Sequence, residues 1–265
     1  MDSFVNEQDF ELLKQDPYTF EVLDRILRGE CELIRADHQN LIMCHSASRF
    51  PVWIWTPDGC ADTVKDRAWA LAAECRPLTE GYRFNMKYEL ADHFMKKAEE
   101  AGQKAVIHMQ LFAYDCPFPI APDRPADGSL HRCTAEDTEE AADLIALFYK
   151  EIGEKPPARE YCVGKAQEHI GLNAFFFWRN GAGKTVACCS YHVNRALASL
   201  ASVFTLPECR RNHYAQHLVY EVTKIVAELG CTPMLYTDAN YAASNACYEK
   251  IGYTLRGKLC TVAMK

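Results

Sequence analysis

From Ala215 onward the apolar side chains fall at positions 215, 218, 219, 222, 225, 226 and 229. That spacing gathers them on one stripe of an α-helix. Gly230 follows at the favoured C-terminal cap position, so the pattern predicts a helix from near Arg211 to 229. Ahead of it, "NAFFFWR" (173–179), "TVACCSYHV" (185–193) and "ALASLASVFTLP" (196–207) read as strands, the first two joined by the turn "NGAGK". After it come a strand "PMLYTD", a helix "YAASNACYEKIG", and closing strands around "YTLRG" and "LCTVAM". Upstream, "SLHRC" predicts a short strand. "TAEDTEEAADLIALFYKEIG" predicts a helix with Thr134 as N-cap and Asp137 completing a capping box, and "AREYCVGKAQEHI" a second helix.

The first part of the chain has a similar rhythm. Helix-like "PYTFEVLDRILRG" leads to strand-like "CELIRA", "NLIMCHS" and "FPVWIW". Helices "DTVKDRAWALAAEC" and "KYELADHFMKKAEEAG" follow, then the strand "KAVIHMQLFAY". The stretch "DCPFPIAPDRPADG" carries prolines at 117, 119, 122 and 125. It can continue neither a helix nor a central strand, and reads as an extended connector. The expected organisation is an accessory α/β module over 1–114, a linker over 115–128 and a second α/β domain over 129–265.

Composition narrows the function classes. Residues 1–128 carry 14 Lys and Arg against 22 Asp and Glu, whereas 129–265 carry 15 against 14. No basic footprint for nucleic acid emerges; the acidic first half either attracts a cationic substrate or is a solvated surface. No apolar run reaches the ~18 residues of a membrane span, and the N-terminus is acidic and polar. The expectation is a cytoplasmic protein with no membrane partner. Thirteen scattered cysteines without a C-x-x-C pair suit reduced, mostly buried thiols. His213 and His217 have i, i+4 spacing but no evident third ligand, so no metal is expected.

A strand running through a tight turn into a helix N-terminus makes an anion site, because unpaired amides and the positive end of the helix dipole face the same spot. Arg210, Arg211 and His213 add cationic or donor side chains there. "VFTLPECRRNHYA" places Val203, Thr205, Pro207 and Glu208 on the strand, then Arg210 and Ala215 at either end of the loop. A second motif, "SNACYEKIGY", places Tyr248, Lys250, Gly252 and Tyr253 on the next strand–helix unit. Together, in register, they resemble the GNAT superfamily of acyl-CoA-dependent N-acetyltransferases across residues 129–265. The chain departs from the family pattern in two places. The loop glycines are replaced by Arg211 and His213, and Tyr241 stands where the family has Asn, with Asn240 one place earlier.

The resemblance implies an α/β (α+β) fold with a mixed central sheet flanked by helices. The rough helix–strand order of the first module is compatible with a degenerate second copy of that fold, although neither motif recurs before residue 115. It implies acetyl-CoA as co-substrate and no metal. The cofactor site would comprise Val203, Thr205, Arg210, Arg211, Asn212, His213, Tyr214, Ala215, Gln216, Asn240 and Asn245. Backbone of Val203 and Thr205 would meet pantetheine, an N–H of that strand would polarise the thioester carbonyl, and Tyr248 would be the general acid. Glu160, Glu168 and His192 lie in segments able to line an acceptor cleft, and none is singled out as base. The acceptor is expected to be the primary amine of a small molecule. A non-catalytic acyl-CoA sensor and a protein N-acetyltransferase stay open as alternatives, and a homodimer is compatible with the sequence.

Overall fold

The computed structural model describes residues 1–75 and 78–265 of the 265. Its backbone contacts divide into two units: 1–113 with 237–240 and 255–265, and 114–236 with 241–254. The last strand of the chain therefore groups with the N-terminal unit, and the proline-rich stretch groups with the second; the sequence reading cuts the chain at 115–128 instead.

In the first unit, helices α1 (Glu7–Leu13) and α2 (Glu21–Arg28) precede three strands, β1 (Leu33–Ala36), β2 (Ile42–His45) and β3 (Val52–Trp55). These pair antiparallel in sequence, with Ile34 opposite Cys44 and Met43 opposite Ile54. α3 (Asp62–Cys75) crosses to β4 (Arg83–Met86), which lies parallel to β3. α4 (Tyr88–Glu100) leads to β5 (Ala105–Asp115). The closing strand β11 (Thr254–Met264) lies antiparallel to β4, Cys260 opposite Met86, and beside β5. Strand residues Met43, Ile54, Phe84 and Met86 pack under Leu71, Leu90 and Phe94 from α3 and α4. Two elements go beyond the sequence reading. α1 is capped by Asn6, whose side chain accepts from the amides of Gln8 and Asp9, and β4 is only four residues long.

The second unit opens on β6 (Ser129–Arg132), then α5 (Thr138–Glu151) and α6 (Arg159–Gly171). Thr134 and Asp137 form the expected capping box, Asp137 Oδ2 accepting from the Thr134 amide at 2.7 Å. β7 (Phe175–Arg179), β8 (Thr185–Asn194) and β9 (Leu197–Thr205) form an antiparallel meander. α7 (Tyr214–Glu228) then crosses to β10 (Thr232–Asp238), parallel to β9, and α8 (Ala242–Ile251) follows. Phe175, Phe176, Phe177 and Trp178 of β7 are all buried, as expected of a strand covered on both faces. Phe175, Phe177 and Cys188 pack with Leu144 and Ile145 of α5 and Ala166 of α6, while α7 packs against β7, β8 and β9.

Apart from β6, the chain runs twice through the same order of two helices, a three-stranded meander, a crossover helix, a strand parallel to the third and a helix; the strand that follows each time is β5 and then β11, and β11 groups with the first unit. The proline-rich stretch is held along the second unit. Ile120 N donates to Ile251 O at 2.7 Å, His217 Nε2 to Arg124 O at 2.7 Å, and Tyr214 OH to Asp127 Oδ1 at 2.6 Å. No helix among the described residues is long and apolar enough to cross a membrane.

Candidate active site

The site begins with strand divergence. β9 pairs with β10 from Leu197 opposite Thr232 to Leu200 opposite Leu235. On its other side β9 stays paired with β8 out to Thr205 opposite Ala187. Within that ladder the register shifts between Cys188 opposite Phe204 and Ser190 opposite Ala201, so Ser202 and Val203 face Cys189. Ser202 takes a left-handed φ of 51°, the conformation that lets a bulge re-aim the backbone beside it. The end of β9 is thereby turned away from its regular ladder at the position where the two parallel strands part.

Beyond Thr205 a single turn, Pro207–Cys209, leads to the loop and to α7. The helix starts at Tyr214, three positions later than the periodicity suggests, for a backbone reason. Arg211 and His213 have φ of 64° and 61°, a region that a right-handed helix cannot include. These are the positions where the resembling family carries glycine. The loop thus keeps a glycine-like path while bearing two side chains. His213 makes no side-chain cap, so among the described residues the first amides of α7, which lack intrahelical acceptors, receive no cap from it.

A cleft of about 490 Å³ opens onto these amides. Val203, Thr205, Arg210, Arg211, His213, Tyr214, Ala215, Gln216 and Tyr248 all line it. The Thr205 hydroxyl is buried there and has no hydrogen-bond partner among the described residues. Three expected residues fall outside the lining. Asn212 caps the turn, its amide donating to the carbonyls of Cys209 and Arg210 at 3.1 and 3.2 Å. Asn240 belongs to the first unit, its N–H bound to Asp238 Oδ1 at 2.9 Å. Asn245 is buried on α8. Glu160, Glu168 and His192 are likewise not lining residues: Glu168 pairs with Lys165 at 2.6 Å, and His192 stacks edge-on with buried His169.

Tyr248 is 7% exposed and packs edge-to-face on Tyr253, ring centres 5.9 Å apart. Burial pushes its phenol well above the ordinary tyrosine range, so it holds its proton throughout the neutral region. Tyr253 has a packing role: its hydroxyl is bonded to Thr223 of α7 at 2.7 Å, inside the core. Gly252 ends α8 with φ of 100°, and a Cβ there would lie 2.8 Å from the Phe118 carbonyl oxygen. The i, i+4 histidines do not cooperate, since His217 gives its Nε2 proton to Arg124 O. Among the described residues, no group of three His, Cys, Asp or Glu is placed to share a metal ion.

Sequence reasoning missed Glu151. It ends α5, lines the cleft, and pairs with Arg210 Nη2 at 2.9 Å. Tyr241, known from sequence only as a departure from the family, also lines the cleft and donates to Glu151 Oε1 at 3.2 Å.

Residues 138–253 match the family model described as Acetyltransferase (GNAT) family. No curated protein matches the sequence. Solved structures share the fold. A GCN5-related N-acetyltransferase from Sphaerobacter thermophilus is 13% identical, covers 95% of this chain and 90% of its own, and has a TM-score of 0.65. One from Kribbella flavida is 17% identical over 92% and 93%, at 0.57. A tandem GNAT protein from the clavulanic acid biosynthesis pathway is 13% identical over 84% and 78%, at 0.51.

Proposed function

Because residues 138–253 belong to the GNAT acetyltransferase family, we propose that the chain is an acetyl-CoA-dependent N-acetyltransferase that modifies the primary amine of a small-molecule acceptor. The observation that carries this reading is the convergence on one cleft of the diverging end of β9, the uncapped N-terminus of α7 and the buried phenol of Tyr248. The residues present fit the co-substrate. Uncapped amides at a helix N-terminus and the side chains of Arg210 and Arg211 suit a pyrophosphate, and the exposed edge at Val203–Thr205 suits the amides of pantetheine.

Acetyl-CoA supplies the acyl group, activated as a thioester. The backbone beside the Ser202 bulge provides the N–H that stabilises charge building on the thioester oxygen. An alkyl amine has a pKa of about 10 and must shed a proton before it attacks. None of the candidate bases named from sequence lines the cleft, and Glu151, a carboxylate that does, is engaged by Arg210 and Tyr241; the reading therefore gives that proton to water. As the C–N bond forms and the C–S bond breaks, Tyr248 donates its hydroxyl proton towards the leaving sulfur. Its buried position keeps that proton in place until then.

The test is Tyr248→Phe, assayed with acetyl-CoA against a panel of amines. The expected result is a fall in kcat of roughly 10²–10⁴-fold, with acetyl-CoA affinity within about twofold of the parent, because the ring still fills its packing site. Unchanged kcat would remove Tyr248 from the chemistry. A parent protein that binds acetyl-CoA yet acetylates no amine would favour an acyl-CoA-binding role instead.

A further inference from the structure

Glu151 puts a carboxylate into a cleft read as an anion site, which needs a reason. Arg210 offers a planar fork of five N–H donors. Its Nε donates to the Thr205 carbonyl at 3.3 Å and its Nη2 forms an ion pair with Glu151 Oε1 at 2.9 Å. The same Oε1 accepts from Tyr241 OH at 3.2 Å. One carboxylate thus ties together the end of α5, the loop after β9 and the start of α8, and all three residues line the cleft. The guanidinium is held at two points, and among the described residues Nη1 makes no hydrogen bond or ion pair.

We infer that Glu151 is a positioning residue, which holds Arg210 across the cleft so that its remaining donors meet the phosphates of CoA and thereby sets the preference of the site for phosphorylated over phosphate-free pantetheine. This rests on the acetyl-CoA reading above. A free arginine on a loop loses rotamer freedom when it captures a phosphate, whereas one already fixed has lost it beforehand. The planar fork suits this use, since two anchored donors fix the direction of the others. The opposing effect is repulsion between Glu151 and the incoming phosphates. Both Glu151 and Arg210 are about one-third exposed, so solvent screens that repulsion, while the orientation of the fork is unaffected by screening. Tyr241 gives the carboxylate a second tie, so it stays in place when phosphates engage the arginine.

Calorimetric titration of the full chain decides it, with CoA and with pantetheine, on the parent, Glu151→Ala, Glu151→Gln, Arg210→Ala and the Glu151→Ala/Arg210→Ala double variant. Thermal melts establish that each variant is folded. Glu151→Ala should weaken CoA by about tenfold, as expected for loss of preorganisation, and leave pantetheine within about twofold. Glu151→Gln, which can still accept from both partners, should recover most of the loss. In the Arg210→Ala background, Glu151→Ala should have no further effect on CoA, because the two act through one contact. Tighter CoA binding by Glu151→Ala would make the residue a competitor and overturn the inference. So would equal weakening of CoA and pantetheine, or additive effects of the two alanines. If the parent binds CoA and Glu151→Ala is unchanged, only this inference fails; if the parent binds no CoA, the reading of the site fails with it.

Discussion

Replacing Arg211 by glycine should stabilise the protein, although it removes a residue from the phosphate loop. Arg211 sits at φ 64°, and for a residue with a Cβ that conformation costs about 1–2 kcal/mol. Glycine removes the cost but enlarges the freedom of the unfolded chain, a loss of roughly 0.5–1 kcal/mol. The difference leaves a net gain of about 0.5–1 kcal/mol. For a protein of this size that corresponds to a rise in Tm of about 1–4 °C. Arg211→Ala is the control, because alanine removes the same charge and keeps the strain; its Tm should stay near that of the parent. Arg211 is exposed, so no lost burial confuses the comparison. Differential scanning calorimetry of the three proteins without ligand provides the assay. The two variants should lose acetyl-CoA affinity through the same missing charge, with glycine binding at least as tightly as alanine. A glycine variant that melts at or below the alanine variant would refute the argument that the loop stores backbone strain.

Gly252→Ala should act in the opposite direction. Its φ of 100° and the carbonyl oxygen 2.8 Å from a new Cβ predict a loss of about 1–3 kcal/mol, read as a lower midpoint in urea; an unchanged midpoint would count against the close approach of Phe118. His38 links stability to pH. Its imidazole bonds Asp9 at 2.7 Å and Asp2 at 3.0 Å, and the Asp9 contact, then Asp2, raises its pKa. The stabilisation is therefore fully present below the unfolded value of about 6.5 and is lost as pH rises through the raised folded value. Relative to His38→Asn, which tolerates the same left-handed φ, the parent's Tm advantage should shrink on going from mildly acidic to alkaline buffer. A pH-independent difference would contradict it.

The parts of the fold legible in the sequence are those where one periodicity holds long enough. The stripe from Ala215 to Leu229 identifies α7, and Thr134 with Asp137 marks the start of α5. β4 is illegible because it is four residues long and reads Arg-Phe-Asn-Met. Its buried Asn85 makes sense only through Thr261, whose hydroxyl it accepts at 2.7 Å from a strand at the far end of the chain. The capping box of Asn6 and Asp9 was a readable sign of α1, though seven residues carry too few apolar positions to show a period. The strand that completes the N-terminal sheet is β11, and sequence order alone assigns it to the other unit.

The site divides in the same way. Tyr248 and the loop residues were legible because a motif fixes their spacing. Left-handed geometry at Arg211 and His213 was not, since propensity opposes it there and tertiary structure imposes it. Glu151 looks like any charged residue at a helix end. Its meaning depends on Arg210 and Tyr241 arriving beside it from distant segments. The first unit shows the converse. Its turn between β3 and α3 holds Asp58, Asp62 opens α3, and the Gly59 amide is already bonded to Glu89 Oε2 at 3.0 Å. Lys87 pairs with Asp58 at 2.8 Å and Lys65 with Glu89 at 2.7 Å, so the cations at this turn are already engaged by carboxylates.

Whether the cleft binds acetyl-CoA through its phosphates is read by calorimetric titration of the purified chain with acetyl-CoA, repeated with acetyl-pantetheine. The expected result is micromolar binding at one site per chain, collapsing when the phosphates are absent. Absence of acetyl-CoA binding, or equal affinity for the two thioesters, would contradict it.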